Sequence, residues 1–260
     1  MAEDKPQSPY KFMDITQASD EGTKRQALID FYENNPLTTI EKLYNFSKYT
    51  PRIIMTRFLS RIECFKKVLN VQGSIMDCGV LFGSSLFTWA KASSIFEPVN
   101  SQRKIVGFDT FSGFPSISEK DKTGKSVHSV EGGLDLRDQG VFEEIQQAVK
   151  HYDAERSLGH IPKLELVKGD VCKTVPQYLE DNPGTLVSLL HLDMDIYEPT
   201  KVALEHFLPR MPKGALIVFD ELNSPLWPGE TIAMLEEIGG GRMKVERFPW
   251  DSYISYATVE

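Results

Sequence analysis

Two spacings of hydrophobic residues divide the chain. From about residue 22 to 70, apolar positions recur at helical intervals, in TKRQALIDFYEN and again in TPRIIMTRFLSRIECFKKVLN. In the second stretch Ile53, Ile54, Phe58, Ile62, Phe65 and Val68 fall near one helical face. This pattern predicts a helical N-terminal cap over residues 1–70, with residues 1–20 polar and loose. After residue 72, short apolar runs alternate with helical segments. SIMDCG, KIVGFD, KLELVKGD, TLVSLLHLD and GALIVFD read as strands. SSLFTWAKASSIF, FEEIQQAVKHYDAE, VPQYLEDN, PTKVALEHFLPRM and GETIAMLEEIG read as the helices between and after them. MKVERF and SYISYATV close the chain as two more strands around a PWD turn. Such alternation predicts a doubly wound, mostly parallel seven-stranded sheet over 71–260, covered by helices on both faces. The last two strands have too short a connection for a crossover, so they pair antiparallel at the edge.

Residues 110–140 break this rhythm. TFSGFPSISEKDKTGKSVHSVEGGLDLRDQ is rich in Gly, Ser and Asp and follows a strand tip. A loop that long is expected to be functional, and it reads as a mobile flap over a site at the carboxyl ends of the strands.

Composition narrows the function. The chain has 260 residues, enough for one large core, with 41% hydrophobic and 25% charged residues. A net charge of -8 disfavours a nucleic-acid partner. No apolar run reaches the ~18 residues that a membrane span needs. The opening MAEDKPQSPYKF has no secretory apolar core. Cys64, Cys78 and Cys172 match no zinc or disulfide framework, and a cytoplasmic location is expected.

The chemistry gathers at strand tips. DCGVLFGSS follows the first strand. There Gly79 and Gly83 allow a tight turn and close approach to a ligand, and Ser84 or Ser85 is positioned to cap the next helix. The spacing is neither the dinucleotide fingerprint nor a P-loop. Asp77 suits a ligand with a cationic amino group, as S-adenosylmethionine has. Asp109, at the tip of the second strand, is placed for ribose hydroxyls or for a simple turn. Asp170, after the third strand, is placed for an adenine amino group or for a helix N-cap.

LLHLDMDIYEPT and GALIVFDELN are more unusual, since both buried runs end in acid. Adjacent strand tips lie about 5 Å apart. Asp193, Asp195, Asp220 and Glu221 would therefore crowd one edge of the sheet and raise one another's pKa. A divalent cation relieves that repulsion, and hard oxygen donors point to Mg2+. The nearest basic residues in sequence are Lys201 and Arg210, too few to pair with every acid. His191 shares a strand face with Asp193 and is either a satisfied core residue or a neighbour of the metal. His128 lies in the flap, within reach of a substrate. Trp227 and the Pro228-Gly229 turn would wall a pocket.

DCGVLFGSS, GFDTFSGFP, VKGDVCKTVP, LHLDMDIYEPT and VFDELNSPLWPGE occur in this order over roughly 70–258. Together they resemble the macrocin O-methyltransferase family. The resemblance implies a class I, Rossmann-like methyltransferase fold and S-adenosylmethionine- and Mg2+-dependent transfer to a hydroxyl of a sugar or glycosylated natural product. It implies metal ligation by Asp193, Asp220 and Glu221, with Asp193 also the candidate general base. Cofactor contacts would fall at Asp77, Gly79, Gly83, Ser85, Asp109 and Asp170. A sugar or glycoside is the implied substrate, and a homo-oligomer is the implied assembly. Two positions depart from the family pattern: Asp77 stands where Glu is common, and Glu221 where Asp is usual. The alternatives are a catechol-type O-methyltransferase, for which Phe111, Phe114 and Trp227 would line the pocket, a non-catalytic binding module, and a metal-dependent hydrolase.

Overall fold

The structure, a computed structural model, describes residues 21–136 and 140–260. The polar residues 1–20 and residues 137–139 of the long loop lie outside the described residues. The chain forms two compact units, one ending at Thr56 and the other comprising Arg57–Glu260.

The first unit contains three short helices, α1 (Glu21–Glu33), α2 (Thr39–Tyr44) and α3 (Phe46–Tyr49). Thr38 and Glu41 form a reciprocal capping box that starts α2. Phe31, Tyr32 and Tyr49 pack ring against ring, and the Tyr32 hydroxyl donates to the Tyr49 carbonyl. Tyr49 is the one buried side chain among the described residues of this unit, while Ile40, Leu43, Tyr44 and Phe46 are exposed.

The fourth helix, α4 (Arg52–Lys67), gives the second unit all its residues from Arg57 onward. The division between the two units falls within this helix. The physical reason is its C-terminal half, where Cys64, Phe65 and the following Val68 are buried in the core of the sheet. Ile53 and Ile54, expected on the same buried face, are about half exposed.

The sheet then follows, with β1 (Ser74–Cys78), α5 (Ser84–Phe96), β2 (Ile105–Asp109), α6 (Val141–Glu155), β3 (Leu164–Lys168) and α7 (Val171–Asp181). It continues through β4 (Val187–Leu192), α8 (Tyr197–Phe207), β5 (Leu216–Phe219), α9 (Pro228–Glu237), β6 (Val245–Arg247) and β7 (Ser255–Thr258). The seven strands lie in the order β3-β2-β1-β4-β5-β7-β6. The first five are mutually parallel. β7 enters antiparallel between β5 and β6, leaving β6 at the edge.

Two apolar cores cover the two faces. On one, α4, α5 and α6 bring Phe65, Leu86, Trp89, Ile145 and Tyr152 against Ile75, Ile105 and Leu189. On the other, α7, α8 and α9 bring Val175, Leu204, Phe207 and Met234 against Met76, Val106, Leu190 and Ile217. Alternate residues of each strand therefore serve opposite cores, and a sheet buried on both faces needs the near-continuous apolar runs that the sequence shows. Each large side chain so buried contributes about 1.5–3 kcal/mol relative to exposure. Among the described residues, no helix is long and apolar enough to cross a membrane.

Candidate active site

The order of the strands reverses at β1 and β4, and the crevice beyond their carboxyl ends is where open α/β sheets bind ligands. The turn after β1 is held from both sides. Asp109 accepts the backbone N–H groups of Val80 and Leu81 through one oxygen, both at 2.8 Å, and that of Phe111 through the other at 2.7 Å. Gly79 has φ 98° and lies against the backbone of Asp193, so a Cβ there would overlap the Asp193 carbonyl oxygen. Gly83, with φ 85°, occupies the N-cap of α5 without a side-chain cap. The expected Ser84 or Ser85 cap is therefore not formed, and Ser85 turns inward to donate to Asp77 at 2.8 Å.

Asp77 itself is fully buried. It accepts from Ser85, from Trp89 Nε1 at 3.2 Å and from His191 Nδ1 at 2.5 Å. Both Asp77 oxygens are thus engaged inside the core, beneath the turn where a cofactor contact was expected. Asp109 shapes the turn through its three amide donors. Asp170 caps α7, accepting the Cys172 N–H at 3.0 Å, and ion-pairs with Lys173 at 3.4 Å.

The β4 and β5 tips differ. His191, Asp193 and Asp220 each offer a donor atom, and these atoms lie within 4.8 Å of one another. Alternation along β4 puts His191 and Asp193 on one face, and the Trp89 ring meets the imidazole edge-on at 5.4 Å. Glu221, expected as the third ligand, is not in this convergent group; its Oε1 faces Arg57 at 4.0 Å. Its backbone N–H donates to Glu230, a fully buried acid from the first turn of α9. His191 Nε2 and Glu221 Oε2 are buried without a hydrogen-bond partner, and Asp220 Oδ2 has only an ion contact. The hard carboxylate oxygens of Asp193 and Asp220, close together at the strand tips, fit a divalent cation.

Two residues that sequence reasoning missed stand on these acids. Arg61 Nη2 lies 3.3 Å from both Asp193 Oδ2 and Asp220 Oδ1, and Arg57 Nη1 lies 3.2 Å from Asp220 Oδ2. Arg210, which is nearer in sequence, bonds the Pro183 carbonyl instead. The available signal was the spacing within α4: Arg57 and Arg61 are four apart, and Arg61 shares the buried stripe with Cys64, Phe65 and Val68.

The charges set the protonation pattern. Burial opposes ionisation of Asp220, but Arg57, His191 and Arg61 hold its carboxyl well below the usual range. Burial, then Asp220, pushes Asp193 up to about 6. Burial also lifts Asp195, Glu221 and Glu230 well above ordinary carboxylates. His191 rises to about 9, because the nearby Asp220 carboxylate and its hydrogen bond to Asp77 outweigh the effect of burial. Its Nε2 lies 3.9 Å from Asp220, so that contact is electrostatic and not a hydrogen bond.

The long loop is tied down. Asp121 is buried and accepts the Tyr197 N–H at the start of α8 and the Ser118 N–H within the loop, at 2.9 and 3.1 Å. Lys125 N donates to Pro225 O, and Lys120 reaches Glu236 on α9. The expected mobile flap is thus an anchored wall over its described residues. In it Phe114 meets Trp227 edge-on at 5.8 Å, while Phe111 packs into the core on Phe142. His128 sits half-buried in a turn of this loop.

Residues 52–233 match the Macrocin-O-methyltransferase (TylF) family. The structure is similar to that of CalS11, a calicheamicin methyltransferase, with TM-score 0.88 and 35% identity over 98% of this chain and 97% of that one. An apo structure of CalS11, described as a TDP-rhamnose 3'-O-methyltransferase, gives TM-score 0.79 and 34% identity over 94% and 96% of the two chains. Among curated proteins, a tetracenomycin rhamnosyl 4'-O-methyltransferase of Streptomyces olivaceus is 24% identical over 170 residues, which is 61% of this chain. The match spans 57% of that relative's length. The O-methyltransferase NovP shares the fold at TM-score 0.59. Family membership implies S-adenosylmethionine as methyl donor. With the family match covering most of the chain and carrying every acidic strand tip, the chain belongs to the macrocin O-methyltransferase family.

Proposed function

We propose that this protein transfers a methyl group from S-adenosylmethionine to a hydroxyl of a sugar, either nucleotide-linked or part of a glycosylated natural product, with a divalent cation such as Mg2+ at Asp193 and Asp220. The observation that carries the reading is the convergence of His191, Asp193 and Asp220 within 4.8 Å, beside the Gly79 turn. CalS11 and the Streptomyces olivaceus relative are named for TDP-rhamnose and a rhamnosyl group, which favours a deoxysugar acceptor.

In the transfer, the bond from methyl carbon to sulfonium breaks as the bond from carbon to sugar oxygen forms, and the hydroxyl proton must leave. Asp193 is the group proposed to take it, standing at the crevice with a pKa raised to about 6 by burial and Asp220. A cation at this site would supply a lowered hydroxyl pKa and a fixed orientation of the acceptor. Glu221, the residue after Asp220, would act on the same cation through water. The turn Gly79–Gly83, shaped by Asp109, would seat the methionine portion of the donor. Asp77 acts beneath it by fixing His191 and the start of α5, and the backbone around Asp109 and Asp170 would face the nucleoside. Trp227 and Phe114 would bound the acceptor.

The test offers purified protein S-adenosylmethionine, Mg2+ and TDP-rhamnose, with product detected by mass spectrometry. A methylated sugar that disappears with EDTA is the expected result. Methylation of catechol in preference to the sugar would replace this reading with the phenolic one. Self-association belongs to the same proposal, because the first unit exposes Ile40, Leu43, Tyr44 and Phe46. Light scattering should then give a mass above the 29.4 kDa of one chain.

A further inference from the structure

We propose that Arg57 and Arg61 are an exchangeable internal counter-cation: they occupy the acids of the metal site when no ion is bound, and a divalent cation enters by displacing them. The inference rests on the cation reading above and adds a property of this chain's own residues.

Burying a guanidinium is costly unless its donors are met. Arg103 shows how this fold satisfies one permanently. Its Nε bonds Glu97 at 2.9 Å, and its other nitrogens bond the carbonyls of Gly73, Val68 and Val71 at 3.0–3.1 Å and the Ser188 hydroxyl. Arg61 is buried to the same degree, 4% exposed against 3%, yet is poorly met. A single nitrogen is shared between two carboxylates at 3.3 Å each, and its Nε has no hydrogen-bond partner. This is neither the short nor the bidentate geometry of a strong arginine–carboxylate pair.

The two carboxylates it bridges are also the two in the convergent donor group with His191. Arg57 holds the second oxygen of Asp220, and its guanidinium can move outward, since its side chain is 27% exposed and rests on the Tyr253 ring at 4.8 Å. Two arginines bring two positive charges, and one divalent ion brings the same two. Exchange therefore leaves the acid cluster electrically unchanged while replacing long contacts with direct ligation.

The experiment titrates Mn2+ into full-length metal-free protein and follows the free ion by electron paramagnetic resonance, with thermal melting alongside. Arg61→Gln should bind Mn2+ about tenfold more tightly than wild type, as expected when about one ion pair no longer competes. Its melting temperature should also rise more on adding Mn2+ than that of wild type. Arg61→Lys, which keeps a cation, should return affinity toward wild type. Asp220→Asn, which removes a ligand, should weaken binding below wild type. Equal or weaker binding by Arg61→Gln, with Asp220→Asn still weakened, would overturn the exchange and leave the metal site standing. Absence of Mn2+ binding in wild type and Arg61→Gln alike would remove the metal site itself. Should Arg61→Gln fail to fold, Arg57→Gln carries the same comparison with about a threefold gain expected, and no gain there overturns the exchange.

Discussion

The carboxyl edge of the sheet has two halves that use the same residue type in opposite ways. At β1, β2 and β3, each acid is met by ordered donors: Asp77 by Ser85, Trp89 and His191, Asp109 by three backbone amides, Asp170 by the first turn of α7. At β4 and β5 the acids are met by the guanidinium groups of α4, at distances of 3.2–4.0 Å, with buried oxygens left over. Of the first three, Asp109 is bonded to backbone amides at 2.7–2.8 Å and holds its turn in shape without any ligand. A carboxylate held mainly by long-range charge invites a better cation. The first half therefore shapes a site, and the second half is where the chemistry is expected.

The largest effect that would test this contrast is on turnover. Asp193→Asn should lower methyl transfer about a thousandfold or more, while calorimetric affinity for S-adenosylhomocysteine stays within a few fold. A variant near normal turnover would erase the distinction between the halves. On the other side, Asp77→Ala should cost about 3 kcal/mol in urea unfolding, as removal of one partner from a buried charged pair does. A loss of cofactor affinity without a loss of stability would instead make Asp77 a ligand. Asp109→Asn exchanges one acceptor oxygen for an amide donor facing backbone N–H groups. It should cost about 1–3 kcal/mol and weaken S-adenosylhomocysteine binding by loosening the turn.

The smallest effect concerns a buried cation of the other kind. Lys163 has a carbonyl partner, Asn100 O at 2.6 Å, and burial lowers its pKa to about 8. Arg57, surrounded by acids, moves in the opposite direction. Between pH 8 and the 10.5 of a free lysine, the unfolded chain holds a proton that the folded chain has lost. Stability from this group therefore rises with pH across that window. Lys163→Met should flatten that part of the wild-type stability profile, and an unchanged slope would remove the contrast between the two cations.

Much of the fold was legible because its signals are local. The strand positions of SIMDCG, KIVGFD and TLVSLLHLD follow from apolar runs bounded by turn residues, and the antiparallel close follows from a short connection. The acidic tips were legible too, and Asp193 and Asp220 do converge. What stayed hidden is non-local. Arg61 meets Asp193 across 132 positions of sequence and Asp220 across 159, so counting nearby basic residues pointed to Lys201 and Arg210 instead. His191 joined the site because the register opposite Asp77 fixed its ring, and a strand read alone does not reveal its neighbour. The loop at 110–136 read as loose because its composition is polar. A single buried acid, Asp121, reverses that by bonding the first amide of α8.

Gly79 presses against the backbone of Asp193 with no room for a side chain. The turn proposed to hold the methyl donor and the strand end proposed to activate the acceptor are therefore spaced by main chain against main chain. Such a seam tolerates little variation, so a lineage of these enzymes can change its acceptor only by editing what surrounds it. Diversification should accumulate in the Asp121-anchored wall, in α4 and around Trp227, while the gap that a methyl group crosses is inherited unchanged.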